Sequence, residues 1–562
     1  MLNDLLNPKN NLIQKEKIIN FLTILLFCFY FFIGINIYKD YGFSIDEPFQ
    51  RTSGYYWYIW IINNFFENYS NIESLQDSFN KMEWSSEMLE GTFLEYGVFF
   101  DLLAVIIEDQ FNLKSYQDIY HAKHLLNFSF FFLSSVCFFY LVKFRFKNTL
   151  LPLIGTIFYI TTPRIFAESF YNSKDIIFMC LTVFAIFFCL KTLKNYKIKN
   201  IILFSFFAAL ATSLRTMGIF IILLFIIFFI LESFEIKNFF IKKINLVLAT
   251  IFLYLVFTYI LWPFLWTDPI NNFFTAFQFF KKYQLGVSTS LYLGKYINTN
   301  YLPWHYTFVW IAVSSPIIYS FFFLIGSLNI TYNFIKNFLE ISINDYAKKL
   351  WKSSNEKIDL FILIFFMGPI FAIIIFQSNL YNGWRHLYFI YPALIYLIVY
   401  AINFLMKFNI SKISKNSFFL IIIFLIIFNI FNLVKFHPYQ NVYFNYLFEK
   451  NANNLFDVDY WGLGNAQSLK KILNNTNKTE KISIGVASFT PLAYSRYIIN
   501  DKKINNVLFS GTTKKDQDYF ITNYIYDRNP KFLKKYSISK KYKKFFTLKR
   551  GNIIINEIYK KK

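Results

Sequence analysis

Cysteine is scarce in this chain. The four that occur among 562 residues, Cys28, Cys137, Cys180 and Cys189, all fall inside long apolar stretches without zinc-ligand spacing. Neither a disulfide framework nor a structural zinc site is expected from them. Charge is scarce too: 16% of residues are charged against 56% hydrophobic. That balance excludes an ordinary soluble globule and indicates a polytopic membrane protein. Lys9, Lys15 and Lys17 precede the first apolar run as they would in a signal peptide, but no small-x-small cleavage site follows. The run therefore reads as a retained first helix. No internal repeat is present.

What is abundant is aromatic and basic. Seventy-six Phe and forty-one Tyr accompany many Ile, Asn and Lys. This is a bias of the coding sequence, so a single aromatic carries little functional signal. It also suggests an AT-rich bacterial genome, which would make the outer compartment the periplasm. The net charge of +23 does not form one face, and a nucleic-acid reading is set aside. The basic residues sit in short loops and in the C-terminal tail, where they orient helices and meet anionic headgroups.

Hydropathy predicts about eleven spans, roughly 19–38, 125–143, 149–165, 176–193, 201–214, 218–235, 246–263, 306–326, 359–376, 387–406 and 417–434. Lysines gather at Lys143/Arg145/Lys147, Lys191–Lys199, Lys237/Lys242/Lys243 and Lys407/Lys412/Lys415. The positive-inside pattern then makes the N-terminus cytoplasmic and, with an odd number of spans, the C-terminal tail periplasmic. The expected organisation is a membrane domain over 1–434 and a small soluble α/β domain over 435–562. The outer loop 39–124 is expected to hold amphipathic helices around Tyr55–Phe66 and Phe93–Phe111. A second long outer loop, 264–305, has Trp262, Trp266, Tyr301 and Trp304 at its ends as aromatic belts. Strands are expected at Ile482–Val486, Tyr519–Ile525 and Ile553–Ile558.

This topology collects ionisable residues at one membrane surface, where they are costly unless they do something. Asp46 and Glu47 follow span one. Arg164, Glu168, Lys174 and Asp175 lie between spans three and four, Arg215 between spans five and six, and Arg385 and His386 before span ten. Adjacent carboxylates such as Asp46 and Glu47 favour unequal proton affinities, which suits one of them to act as a base. Arg215, flanked by apolar runs, needs an anionic partner. Plainer readings exist: Arg164 and Lys174 as interfacial anchors, and Glu168 with Lys174 as a solvated ion pair. A histidine metal site finds no support, since the close pair His121 and His124 has no further ligand beside it.

The motif Tyr41-Gly42-Phe43-Ser44-Ile45-Asp46-Glu47-Pro48, the loop ending Ser173-Lys174-Asp175, the basic Arg215 and the stretch Tyr381-Asn382-Gly383-Trp384-Arg385-His386-Leu387-Tyr388 together resemble the C-type (GT-C) polyprenyl-phosphate-sugar glycosyltransferases. The resemblance is narrower to the family 39 branch of protein O-mannosyltransferases and aminoarabinose lipid A transferases, and covers about residues 19–434. It implies an integral-membrane enzyme that moves a sugar from a polyprenyl-phosphate donor to an acceptor hydroxyl on protein, lipid A or glycan, at the periplasmic face of the inner membrane. It implies Asp46 as base, Glu47 as its neighbour and Asp175 as a second acid. Arg164, Glu168, Lys174, Arg215, Arg385 and His386 would serve the donor phosphate and substrate. If a divalent ion assists, Asp46 and Asp175 would hold it; no cofactor is otherwise implied. Two departures stand out. Glu95-Tyr96-Gly97 lacks the lysine and tyrosine contacts of the lipid A branch, and the sugar-binding C-terminal fold of eukaryotic mannosyltransferases is absent. The stretches His437–Asn445 and Asp459-Tyr460-Trp461-Gly462 resemble a bacterial subgroup and receive no role from the sequence.

The alternative from another class is a lipid or polysaccharide transporter (flippase), and a non-catalytic assembly or sensor protein is a third. A transporter predicts broken helices at mid-bilayer and two similar halves. The enzyme predicts that Asp46, Asp175 and Arg215 converge to within about 10 Å.

Overall fold

The computed structural model describes residues 8–66, 69–236, 238–281, 289–343, 350–407, 412–477, 480–513 and 515–562. Lys237, counted above among the inner basic residues, lies outside them. The protein is a polytopic α-helical bundle with a small C-terminal sheet. Nine described helices are long and apolar enough to cross a bilayer, or ten if one bent pair counts as a single span.

Every expected span has a helical counterpart, and three differ from expectation in an informative way. The third is not straight. Helix α1 (Leu150–Thr161) and helix α2 (Pro163–Tyr171) meet at 66°. Pro163 has no N–H to continue the ladder, and Thr162 ahead of it is pushed to extended backbone with ψ 116°. The fifth, α3 (Ile198–Leu214), has 17 residues and is shorter than a full crossing. The eighth begins later than 306. A short helix over Tyr306–Ser314 stops at Ser315, in extended backbone before Pro316, and Ile317–Glu340 is the apolar crossing. In both the third and eighth spans a mid-run proline, invisible to averaged hydropathy, sets the break.

The first long loop folds on itself. Helices α4 (Glu47–Phe65), Ile72–Asn80 and α5 (Phe99–Gln110) bury Tyr55, Tyr58, Ile62, Leu75, Phe79, Met88 and Val105 in a satellite core. Buried polar links fix it: Arg51 pairs with Glu108, and the Tyr55 hydroxyl donates to Glu108 Oε1 at 2.5 Å.

The sheet in the tail has the order β4-β3-β5-β7-β6: β3 (Ile482–Val486), β4 (Val507–Thr512), β5 (Tyr519–Thr522), β6 (Tyr542–Arg550) and β7 (Ile553–Lys561). β3 pairs in parallel with β4 and β5, and β7 runs antiparallel to β5 and β6. β4 and β6 are strands the sequence did not announce; β6 (YKKFFTLKR) carries too much lysine to read as an alternating strand. A two-stranded hairpin, β1 (Thr289–Tyr292) and β2 (Lys295–Asn298), comes from the second long loop and bridges to Phe456 in the tail. Its turn, Leu293-Gly294, has both φ positive, as a tight two-residue hairpin requires. The main apolar core runs through position 434 without a break, since Phe436, Tyr443, Phe444, Phe456, Trp461, Leu463 and Ile555 share it with the helices.

Candidate active site

Asp46 sits just before α4, where Pro48 in the first turn presets helical φ. Its side chain makes no cap hydrogen bond and faces the bundle. Asp175 opens the helix Asp175–Asn195, where the helix dipole favours a carboxylate. Arg215 follows the last turn of α3 in extended backbone, φ −146°. Arg385 opens a short 3₁₀ helix, Arg385–Ile390, after Asn382 and Gly383, both at positive φ.

These four segments, far apart in sequence, converge. Arg385 Nη1 donates to Asp46 Oδ2 at 3.1 Å and to Asp175 Oδ2 at 3.3 Å, while Arg215 Nη2 pairs with Asp175 Oδ1. One guanidinium thus bridges the two acids and a second holds the far side of Asp175. The acids differ in access: the Asp46 side chain is 34% exposed and that of Asp175 1%. Asp46 is the acid a substrate can reach; Asp175 is fully occupied by the two arginines and by Asn172, whose Nδ2 donates to it at 3.1 Å.

The remaining predicted residues divide. Glu168 joins indirectly: its Oε2 accepts the other Asn172 Nδ2 bond at 2.8 Å and its Oε1 accepts the Tyr388 hydroxyl at 2.9 Å. It is buried, so the solvated Glu168–Lys174 pair is not what the protein forms. Lys174 is buried as well, over the Tyr96 ring at 4.0 Å and the Phe49 ring at 5.8 Å, and its Nζ has no hydrogen-bond partner. Loss of water lowers its ammonium to a pKa of about 8. Beneath it, Lys123 lies 3.4 Å from Asp101 and donates to Gln50 Oε1 at 3.1 Å, which also accepts Ser173 Oγ at 2.6 Å. Burial holds the Asp101 carboxyl above its ordinary range.

Two predicted residues, Glu47 and Arg164, stand apart from the two bridged acids, while His386 lies beside them within electrostatic reach of Asp175. Glu47 is fully buried, accepting the Ser44 N–H at 2.7 Å and facing His124 Nε2 at 3.0 Å. It anchors the acidic loop to the helix Tyr116–Phe146 and does not face the arginines as Asp46 does. Arg164 donates to the Tyr443 carbonyl at 3.2 Å and lies over the Phe444 and Trp310 rings. His386 packs edge-on against Tyr381 with 4.8 Å between ring centres.

The residues that sequence reasoning missed are mostly aromatic. Tyr96, beneath Lys174, belongs to the Glu95-Tyr96-Gly97 stretch read as lacking a counterpart. Arg385 is enclosed by Tyr381, Tyr460 and Trp461 at 4.9, 5.2 and 4.9 Å from its guanidinium carbon. In so aromatic a chain such rings do not stand out; the available signal was the clustering of Tyr460 and Trp461 in a motif without a role.

Among solved structures, the chain is similar to ArnT from Cupriavidus metallidurans bound to undecaprenyl phosphate, at 10% identity and a TM-score of 0.43, covering 96% of this chain and 97% of that one. It is similar also to the Archaeoglobus fulgidus oligosaccharyltransferase in the apo form (12%, TM-score 0.47, 86% of this chain and 64% of that one). A third is AglB of the same organism in complex with an inhibitory peptide and a dolichol-phosphate (11%, TM-score 0.41, 76% and 61%). No family model and no curated protein matches it.

A divalent ion between Asp46 and Asp175 does not fit this arrangement. That position is taken by the Arg385 guanidinium, and among the described residues no group of three His, Cys, Asp or Glu side chains is placed to hold a metal.

Proposed function

We propose that the protein is a membrane glycosyltransferase that moves a sugar from a polyprenyl-phosphate donor to an acceptor hydroxyl, by inverting transfer with Asp46 as base. The observation that carries this reading is the convergence of Asp46, Asp175, Arg215 and Arg385 from four separate segments onto one bridged cluster. Arg215 and Arg385 bind the carboxylates of Asp46 and Asp175 directly, and Lys174 lies within electrostatic reach of Asp46. Lys174 Nζ, Arg215 Nε and Arg385 Nε are buried donors without partners. Such groups are expensive unless an anion meets them, and a phosphate with fixed donors around it is the fitting ligand.

In the reaction, the acceptor hydroxyl attacks the anomeric carbon and gives its proton to Asp46. The bond from that carbon to the phosphate oxygen breaks, and its electron pair leaves with the polyprenyl phosphate. Arg215, Arg385 and Lys174 stabilise the charge that develops there. Asp175 keeps the two arginines in place. The resemblance of the sequence motifs and the undecaprenyl phosphate bound to ArnT point the same way for the donor. We place the site at the periplasmic face of the inner membrane, with the N-terminus cytoplasmic and residues 435–562 as a periplasmic domain following the membrane domain 1–434.

Undecaprenyl phosphate titrated onto the purified protein and read by native mass spectrometry tests this. Wild type should bind it over undecaprenol, the same chain without the phosphate, and Arg215→Ala should weaken binding by about tenfold or more. Asp46→Asn should keep binding yet lose about 10²-fold or more in transfer from the donor that wild type accepts. Equal binding by wild type and Arg215→Ala, or normal transfer by Asp46→Asn, defeats the reading.

A further inference from the structure

The turn Asp459-Tyr460-Trp461-Gly462 lies beyond the last membrane helix, yet it reaches the centre of the site. The Arg385 side chain is 4% exposed, its Nε has no hydrogen-bond partner, and both of its carboxylate bonds leave from the same nitrogen. A guanidinium tethered at one nitrogen can pivot about it; a planar cation packed among ring faces cannot. Tyr460 and Trp461 supply two of the three rings around it, and Tyr381 the third.

The same turn also holds the acidic loop. The Ile45 N–H donates to the Trp461 carbonyl at 3.2 Å, one residue before Asp46. A side chain at Gly42 would collide with the Leu463 carbonyl, so the loop lies directly along 461–463. The turn is itself rigid. The fully buried Asp459 accepts Gly464 N–H at 3.0 Å, Leu463 N–H at 3.3 Å and Asn441 Nδ2 at 3.2 Å. Its own carbonyl accepts Asn523 Nδ2 at 2.9 Å. Gly462 takes φ +74°, which a side chain would strain. At the start of the loop, His437 Nε2 lies 2.9 Å from Asp40 Oδ2, and the Tyr41 hydroxyl donates to Gln440 Oε1 at 3.2 Å. Both stretches that the sequence left without a role therefore grip the acidic loop.

We propose that Tyr460 and Trp461 are positioning residues of this site: their rings hold the Arg385 guanidinium between Asp46 and Asp175, and the Trp461 backbone sets the position of Asp46. The consequence for ligand binding rests on the proposed glycosyltransferase reading; the placement of Arg385 does not.

Two measurements on the full chain in nanodiscs test it. In the first, a cryo-electron microscopy map of Trp461→Leu should show the Arg385 side chain displaced from Asp46, and Trp461→Phe should restore it. An unmoved Arg385 in Trp461→Leu overturns the proposal whatever the ligand proves to be. In the second, undecaprenyl phosphate is the probe in a double-mutant cycle. Trp461→Leu alone should weaken binding by about tenfold, and the Trp461→Leu/Arg385→Lys double variant should bind no worse than Arg385→Lys alone. Losses that multiply mean that Trp461 acts independently of Arg385 and also overturn it. If wild type binds no polyprenyl phosphate, the donor reading falls while the map still decides the positioning role. Should Trp461→Leu fail to fold, Tyr460→Leu, which spares the backbone bond to Ile45, with Tyr460→Phe as its rescue, gives the same two readouts.

Discussion

At the scale of single residues the site is defined by unequal access. Two carboxylates share one guanidinium, and of the two only Asp46 keeps part of its side chain open, as the base proposed above requires. Lys174 is a cation of the site whose titration burial shifts toward neutral pH. Its ammonium loses its charge near pH 8, against 10.5 for the unburied amine, so its attraction for a phosphate is present below that value and fades above it. Undecaprenyl phosphate affinity should fall as pH rises through about 8, and Lys174→Met should bind more weakly at neutral pH and lose that dependence. A titration of wild type that stays flat across this range removes Lys174 from the binding site. Stability runs the opposite way: between about pH 8 and 10.5 the unfolded chain holds the proton that the folded one has released, so the Lys174 contribution to stability rises with pH there. Asp46, Asp175, Arg215 and Arg385 were legible in the sequence because a charge stands out against apolar neighbours. Gln50, Tyr96, Tyr460 and Trp461 were not, because their neighbours are just as polar or aromatic and only the folded backbone brings them to a cation. Glu47 was legible as an acid but not as an anchor; its partner, His124, is 77 positions away.

At the scale of elements, breaks in helices deliver the chemistry. The bend at Pro163 turns α2 across the bundle and places Glu168 and Asn172 beside Asp175. The stop after Leu214 leaves Arg215 in extended backbone, aimed at the same acid. The loop that carries Tyr96 is seated against this stop through Gly97, where a side chain would run into the Ser213 carbonyl. Gly97→Ala must therefore push the loop away from Arg215 and Lys174 together. The expected result is a loss of about 2 kcal/mol or more in stability and weaker binding of undecaprenyl phosphate. Thermal unfolding in detergent measures the first part, and an unchanged midpoint would show that the loop does not depend on this approach. Hydropathy located the apolar centre of each span where no proline intervened, although the helices Pro8–Ile37 and Tyr116–Phe146 start well before the expected 19 and 125. It misplaced the eighth because a window average cannot see that Pro316 ends one helix and begins another.

At the scale of the molecule, two ends of the bundle are built differently. The helix Tyr116–Phe146 has His124 against Glu47 near its start and Arg145 near its finish, where Nη2 lies 2.6 Å from Asp359 Oδ2 and the Tyr396 hydroxyl donates to Asp359 Oδ1 at 2.6 Å. Lys357 and Glu232 pair at 2.7 Å close to the finish as well. In these pairs the cations are met, with only Glu232 Oε2 left without a partner, whereas the cluster at the other end leaves donors unused. In the orientation proposed above from the lysine asymmetry, the end with these pairs faces the cytoplasm. Reporter fusions at Lys199 should therefore read as cytoplasmic and fusions after Lys549 as periplasmic; a cytoplasmic signal at Lys549 would separate the tail from an outward-facing site.

The continuity of the core across position 434 has a consequence in time. A chain emerges from the ribosome N-terminus first, so every membrane helix, and both carboxylates and both arginines of the cluster, exist before Tyr460 and Trp461 are made. Until the turn at Tyr460 and Trp461, and Asn523 that holds it, have been synthesised and have docked, Arg385 lacks two walls of its cage and the acidic loop lacks its seat. On the reading proposed above, a nascent protein in which Tyr460 and Trp461 have not yet docked lacks the finished centre that would hold a polyprenyl-phosphate donor.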